Sequence, residues 1–107
     1  MKRYGMVIGI DKERLNEYKT YHSEIWPEVA EALKKANIRN YSIYYKDGLL
    51  FSYYEYIGTD FENDMRIMDE NETVKKWQEI MNTVQQPLKT RKEGEWWSEM
   101  DEIFHLE

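Results

Sequence analysis

The chain reads as an α+β domain, and three features of its pattern say so. Short apolar stretches at 4–10, 41–45 and 49–56 are separated by segments whose apolar residues recur every three or four positions. An Asp47-Gly48 step joins the last two stretches as a tight β-hairpin turn would. Pro27 interrupts the first helical segment, and Pro87 follows the last. At 107 residues the whole chain, 1–107, is expected to be one domain, because either half would be too small to bury a core.

Tyr4 to Ile10 has the apolar run of a strand, and Asp11 suits the cap of a following helix with Glu13 in its first turn. Leu15, Tyr18 and His22 fall on one face of that helix. Pro27 has no N–H to donate, so the helix should break between Ser23 and Trp26 and resume over 28–36. The hairpin register sets Tyr41 against Tyr54 and Ile43 against Ser52 on one face, with Tyr44 against Phe51 and Ser42 against Tyr53 on the other. Thr59-Asp60-Phe61-Glu62 has the form of a capping box before Phe61, Met65 and Met68. Asn71 re-caps a further apolar face of Val74, Trp77, Met81 and Val84. Residues 85–95 read as a polar loop, and Met100 to Leu106 alternate as a final strand.

The resulting order is that of a ferredoxin-like βαββαβ unit, with its helices on one face of a four-stranded sheet. No element remains to cover the face carrying Tyr44, Phe51 and Tyr53. A homodimer stacking two sheets is therefore expected, or else a patch for another protein.

Composition removes several functions. Fifteen Lys and Arg against 21 Asp and Glu leave a net charge of −6, which argues against nucleic acid. The absence of cysteine excludes disulfides, thiolate metal sites and cysteine nucleophiles. Two distant histidines do not make a multi-histidine site, so no transition-metal site is expected. The apolar stretch at the N-terminus is too short for a secretion signal and nothing reaches membrane-spanning length, so the expected compartment is the cytoplasm.

Tyr18 and His22 are four residues apart on the helix face that looks toward Tyr41, and Trp77 lies on the other helix covering the same side. From the residues alone this is a small polar pocket with one acid/base group. His22 lies near a helix C-terminus, where free carbonyls favour its charged form. His105 is expected to be structural or exposed, and Trp96-Trp97 to pack before the last strand or at a dimer seam.

Tyr18, His22 and Trp26-Pro27-Glu28, followed by Asn40-Tyr41-Ser42-Ile43-Tyr44, resemble the L-rhamnose mutarotase family. So do Leu49-Leu50-Phe51 and the closing Met100 to Leu106, and the likeness covers essentially the whole chain. It implies a dimeric α+β barrel of ferredoxin-like protomers and a cofactor-free enzyme exchanging the α and β anomers of L-rhamnose. It further implies that His22 is the proton donor and that Tyr18 and Tyr41 contact the sugar. Where the family often carries adjacent tryptophans, this chain has Trp77 and Gln78. Rival readings on the same architecture are a mutarotase for another 6-deoxy or L-sugar such as L-fucose, a cofactor-free monooxygenase-like enzyme, and a non-catalytic sugar-binding dimer.

Overall fold

Strand β1 (Lys2–Ile10) organises the sheet. The computed structural model describes all residues, Met1–Glu107. β1 pairs antiparallel with β3 (Leu49–Tyr56) along most of its length, and β3 pairs with β2 (Ile38–Lys46). On its other edge β1 takes two short strands, β4 (Gln85–Gln86) and β5 (Ser98–Met100). The order β2-β3-β1-β4 is that expected of a ferredoxin-like unit.

Four helices lie between the strands in sequence: α1 (Leu15–Ser23), α2 (Pro27–Lys35), α3 (Phe61–Glu70) and α4 (Glu72–Val84). Their boundaries follow from local chemistry. Asp11 accepts from the Glu13 amide and opens a single 3₁₀ turn before α1. Pro27 takes the first position of α2, where a missing N–H costs nothing. Asp60, one residue later than Thr59, caps α3 by accepting from the Asn63 amide. Asn71 ends α3 and caps α4, accepting from the Thr73 and Val74 amides. None of the helices is long and apolar enough to cross a membrane.

One face of the sheet meets the helices. Ile8, Ile10 and Leu50 pack there on Tyr18, Val29, Trp77, Met81 and Val84. A second cluster of Tyr4, Ala36, Ile38 and Tyr56 fills the far end. The opposite face is uncovered: Tyr44 is 66% exposed, and Phe51 and Tyr53 are half-buried.

The hairpin turns as the sequence predicts, with φ of 51° at Asp47 and 81° at Gly48. The register of Ser42, Ile43 and Tyr44 on Tyr53, Ser52 and Phe51 also holds. Beyond Ser42 it slips. Arg39 pairs with Glu55, so Asn40 and Tyr41 together oppose Tyr54. Asn40 takes the left-handed φ of 51°, and its side-chain amide donates to Glu55 Oε1 at 2.6 Å. This bulge has a consequence for aim. Ile38 and Tyr41 are three apart, and a regular strand would put them on opposite faces. Both line a cavity on the helix side.

Two expectations fail. Residues 85–95 are not wholly loop, because Gln85 and Gln86 pair with Ile10 and Gly9; a two-residue strand is too short to show periodicity. The final strand covers Ser98–Met100, and residues 101–107 form none. Alternation stabilises a strand only when one face is buried. In the single chain nothing covers Ile103, Phe104 and Leu106, which are 91%, 77% and 80% exposed.

The β4 contact depends on Gly9. A methyl group there would lie 2.5 Å from the backbone carbonyl oxygen of Gln86, so either β4 or β1 would have to move. Gly9→Ala should therefore destabilise the fold by about 1–3 kcal/mol. The check is a thermal melt, and an unchanged midpoint would show that β4 yields without cost.

Candidate active site

The site is built on α1. Tyr18 and His22 are one turn apart, and their rings stack with centroids 4.3 Å apart. His22 Nδ1 lies 2.8 Å from the Tyr18 carbonyl oxygen. A carbonyl only accepts, so Nδ1 carries a proton and donates it, leaving Nε2 as the nitrogen with a free lone pair.

The Trp26-Pro27 step now has a structural purpose. Pro27 ends one helix and starts the next, and Trp26, at the junction, packs edge-on against Trp77 at 5.2 Å. Tyr21 and His22 meet the same indole at 5.9 Å and 5.3 Å, also edge-on. Trp77 is thus held by three rings and is only 7% exposed. Edge-to-face contacts of this kind add about 0.5–1.5 kcal/mol each beyond their buried area.

Tyr18, His22, Tyr41 and Trp77 line one cleft of about 460 Å³ between α1, α4 and the β2–β3 hairpin. Its remaining wall comes from Leu15, Ile25, Leu33, Ile43 and Leu50, with Tyr44, Tyr45 and the charged Lys19 at its lining as well. Four of the five residues singled out by sequence are thereby brought together. Gln78 is not among them. It borders an adjoining cavity of about 230 Å³ that shares Leu33, Tyr41 and Trp77 with the first, and its amide donates to Asn82 at 2.7 Å.

Two residues that sequence reasoning missed complete the arrangement. Tyr18 is only 4% exposed, and its hydroxyl accepts from Gln85 Nε2 at 3.2 Å. Gln85 Oε1 in turn accepts from the indole N–H of Trp96 at 2.8 Å. Trp96 therefore does more than pack, whereas Trp97 packs on the core. The only clue in the sequence was general: a tryptophan N–H away from water needs an acceptor.

The electrostatics differ from the expectation at His22. Burial lowers its pKa from the ordinary value, and the bond to the Tyr18 carbonyl opposes this less strongly. The helix-end argument fails because the ring folds back against Tyr18 and Trp77 and is desolvated there. The shift favours the uncharged ring. Burial also raises the Tyr18 phenol, while the Gln85 bond lowers it. Tyr41 is 41% exposed as a residue, yet desolvation, followed by the neighbouring Tyr18 and Tyr54, pushes its phenol well above the ordinary value.

The His22 shift carries a sign for stability. A histidine whose folded pKa lies below its unfolded value binds fewer protons folded than unfolded. Its contribution is fully present above the unfolded value of about 6.5 and is lost as pH falls through that value toward the folded pKa. Stability should decline with acid over this window, and His22→Gln should flatten the decline. NMR titration of the His22 ring giving a midpoint above that of an unfolded peptide would contradict this.

The chain is similar to known proteins along nearly its whole length. The family model for L-rhamnose mutarotase matches residues 3–106. An L-rhamnose mutarotase of Oceanobacillus iheyensis is 32% identical over 108 residues, covering 100% of both chains. A UPF0734 protein of Dictyostelium discoideum is 35% identical over 99% of this chain and 90% of its own. Among solved structures, the L-rhamnose mutarotase of Formosa agariphila superposes with a TM-score of 0.77 over 100% of both chains at 23% identity, a likeness of fold. On these matches the chain belongs to the L-rhamnose mutarotase family.

Proposed function

We propose that the chain interconverts the α and β anomers of L-rhamnose by opening and reclosing the sugar ring, with His22 moving the proton of the anomeric hydroxyl. One observation carries this reading: an imidazole held through Nδ1, with Nε2 left unbonded, lining a cleft of tyrosine and apolar side chains. A volume of about 460 Å³ suits a single sugar, since small-molecule sites run from about 300 Å³ upward.

In ring opening, Nε2 accepts the anomeric proton as the bond from C1 to the ring oxygen breaks, and the ring oxygen gains a proton from a hydroxyl in the cleft. Rotation about C1–C2 turns the aldehyde over. On reclosure the imidazolium returns its proton, so in this reading His22 is first the base and only then the donor. An imidazole serves because it takes up and releases a proton near neutrality. Tyr18 and Tyr41 supply hydroxyls to the sugar, and Trp77 with the aliphatic wall takes its C–H faces and methyl group. Gln78, beyond Trp77, is read as bordering the far end of the sugar, where an amide admits a hydroxyl that a second tryptophan would exclude. The preference for L-rhamnose over a more hydroxylated sugar should then be shallow.

His22→Ala should slow catalysed anomer exchange by about 10²–10⁴-fold, measured by saturation-transfer NMR after subtracting the exchange in buffer. L-rhamnose should exchange faster than L-fucose. Catalysis of L-fucose alone would replace the substrate and leave the mechanism standing, whereas an unchanged rate in His22→Ala would falsify the role of the histidine.

The same reading makes the protein a homodimer, joined through the outer sheet face and the C-terminal tail. Its support is the amount of apolar surface without cover: Tyr44, Met100, Ile103, Phe104 and Leu106 are all exposed, beside half-buried Phe51 and Tyr53. Phe51→Glu places a charge in the middle of that face and should dissociate the dimer. A wild-type chain that sediments as a monomer at micromolar concentration would exclude this assembly.

A further inference from the structure

Gln85 is a buried polar side chain, 6% exposed, with both ends of its amide engaged. Its orientation is decided by chemistry. The Trp96 indole N–H can only donate, so the nitrogen 2.8 Å away identifies the Gln85 atom facing it as oxygen. The amide NH₂ is then the end that faces the Tyr18 hydroxyl, at 3.2 Å. A phenol that already accepts from an amide has its own proton free to point elsewhere. For Tyr18, whose ring stacks on His22 and lines the cleft, elsewhere is the sugar.

We propose that Trp96 and Gln85 form a hydrogen-bond relay that turns the Tyr18 hydroxyl proton into the cleft, making Gln85 the positioning residue for the second proton carrier of ring opening. The inference rests on the mutarotase reading. In the opening step, O1–H gives its proton to His22 Nε2 and the C1–O1 bond becomes a carbonyl. The electron pair of the broken C1–O5 bond stays on O5, which takes the Tyr18 proton. The phenolate so formed accepts a hydrogen bond from the Gln85 amide and lies stacked on the new imidazolium. Reclosure runs the same transfers backward, so no charge or proton is gained or lost over the cycle. The Gln85 bond favours the phenolate against burial, which is the direction the step needs.

Two substitutions separate this from simple packing. Gln85→Met removes both hydrogen bonds at similar volume and should lower kcat about 10–100-fold, the scale of a misdirected reacting group, with little change in KM. Gln85→Glu keeps an acceptor for Trp96 but sets a second acceptor against Tyr18. It draws the phenol proton away from the sugar and should lower kcat further. Neither substitution should lower kcat again in a Tyr18→Phe background. Trp96→Phe, which keeps the ring but loses the N–H, should lower kcat less than Gln85→Met does. Folding of each variant is checked by near-ultraviolet circular dichroism.

NMR of tyrosine labelled at its ζ carbon gives a readout that does not need turnover: the Tyr18 titration should move to higher pH in Gln85→Met. Folded variants that keep kcat within about twofold, well short of that scale, or that lose it equally with and without the Tyr18 hydroxyl, would overturn the proposal. So would a Tyr18 titration that does not move. If the wild-type chain exchanged no sugar at all, the mutarotase reading would fail first. The Tyr18 titration would then show whether the hydrogen bond had been misread as well.

Discussion

A phenol taken out of water needs a partner for its hydroxyl, and the burial of Tyr18 is the constraint around which this site is assembled. The residue belongs to the main core cluster and is only 4% exposed, so apart from the cleft its oxygen depends on protein partners. Gln85 reaches it only because α4 ends one residue earlier and the chain passes directly into β4 beside β1. That passage in turn requires a glycine at position 9. Gln85 needs an acceptor and a donor satisfied at once, and the indole of Trp96 supplies the other half. Four segments, β1, α1, the α4–β4 junction and the one carrying Trp96, thus converge on one hydroxyl. Leaving it unpaired would cost about 1–3 kcal/mol, a sizeable part of the stability of a domain this small.

His22 depends on the same element. Its ring takes its orientation from the Tyr18 carbonyl and its neutrality from the surfaces of Tyr18 and Trp77. Charge state and tautomer are therefore both consequences of packing. One half of the site is an imidazole with a vacant nitrogen, and the other is a set of phenols whose ionisation burial resists. Such groups exchange protons with a sugar while holding little net charge between turnovers.

Much of this was legible beforehand. The elements through Val84 follow from periodicity, the two prolines, the Asp-Gly turn and the Asn71 cap, all of which act locally. Tyr18, His22 and Trp77 could be grouped because helical spacing fixes which side chains share a face. Tyr41 was grouped correctly because it alternates with Ile43 and lies against Tyr54; the bulge at Asn40 instead re-aims Ile38, which the sequence did not announce. What stayed hidden was non-local. Gln85 and Trp96 act through partners 67 and 11 residues away, and no spacing rule announces such a pair. The His22 charge was misjudged because a helix end was visible in the sequence and the desolvating rings were not. The tail misled for a related reason, since alternation reports what a segment would bury, not whether a surface is present to bury it.

The bulge at Asn40 has a further bearing on how this sheet tolerates change in length. Loss of that one residue would leave β2 and β3 with an uninterrupted ladder, a more regular sheet by every backbone measure. It would also exchange inside for outside for every residue of β2 on one side of the deletion. Either Ile38 would leave the core or Tyr41 and Ile43 would leave the cleft. The irregularity is therefore a phase-setting device. Insertions and deletions in β2 should be permitted only in pairs.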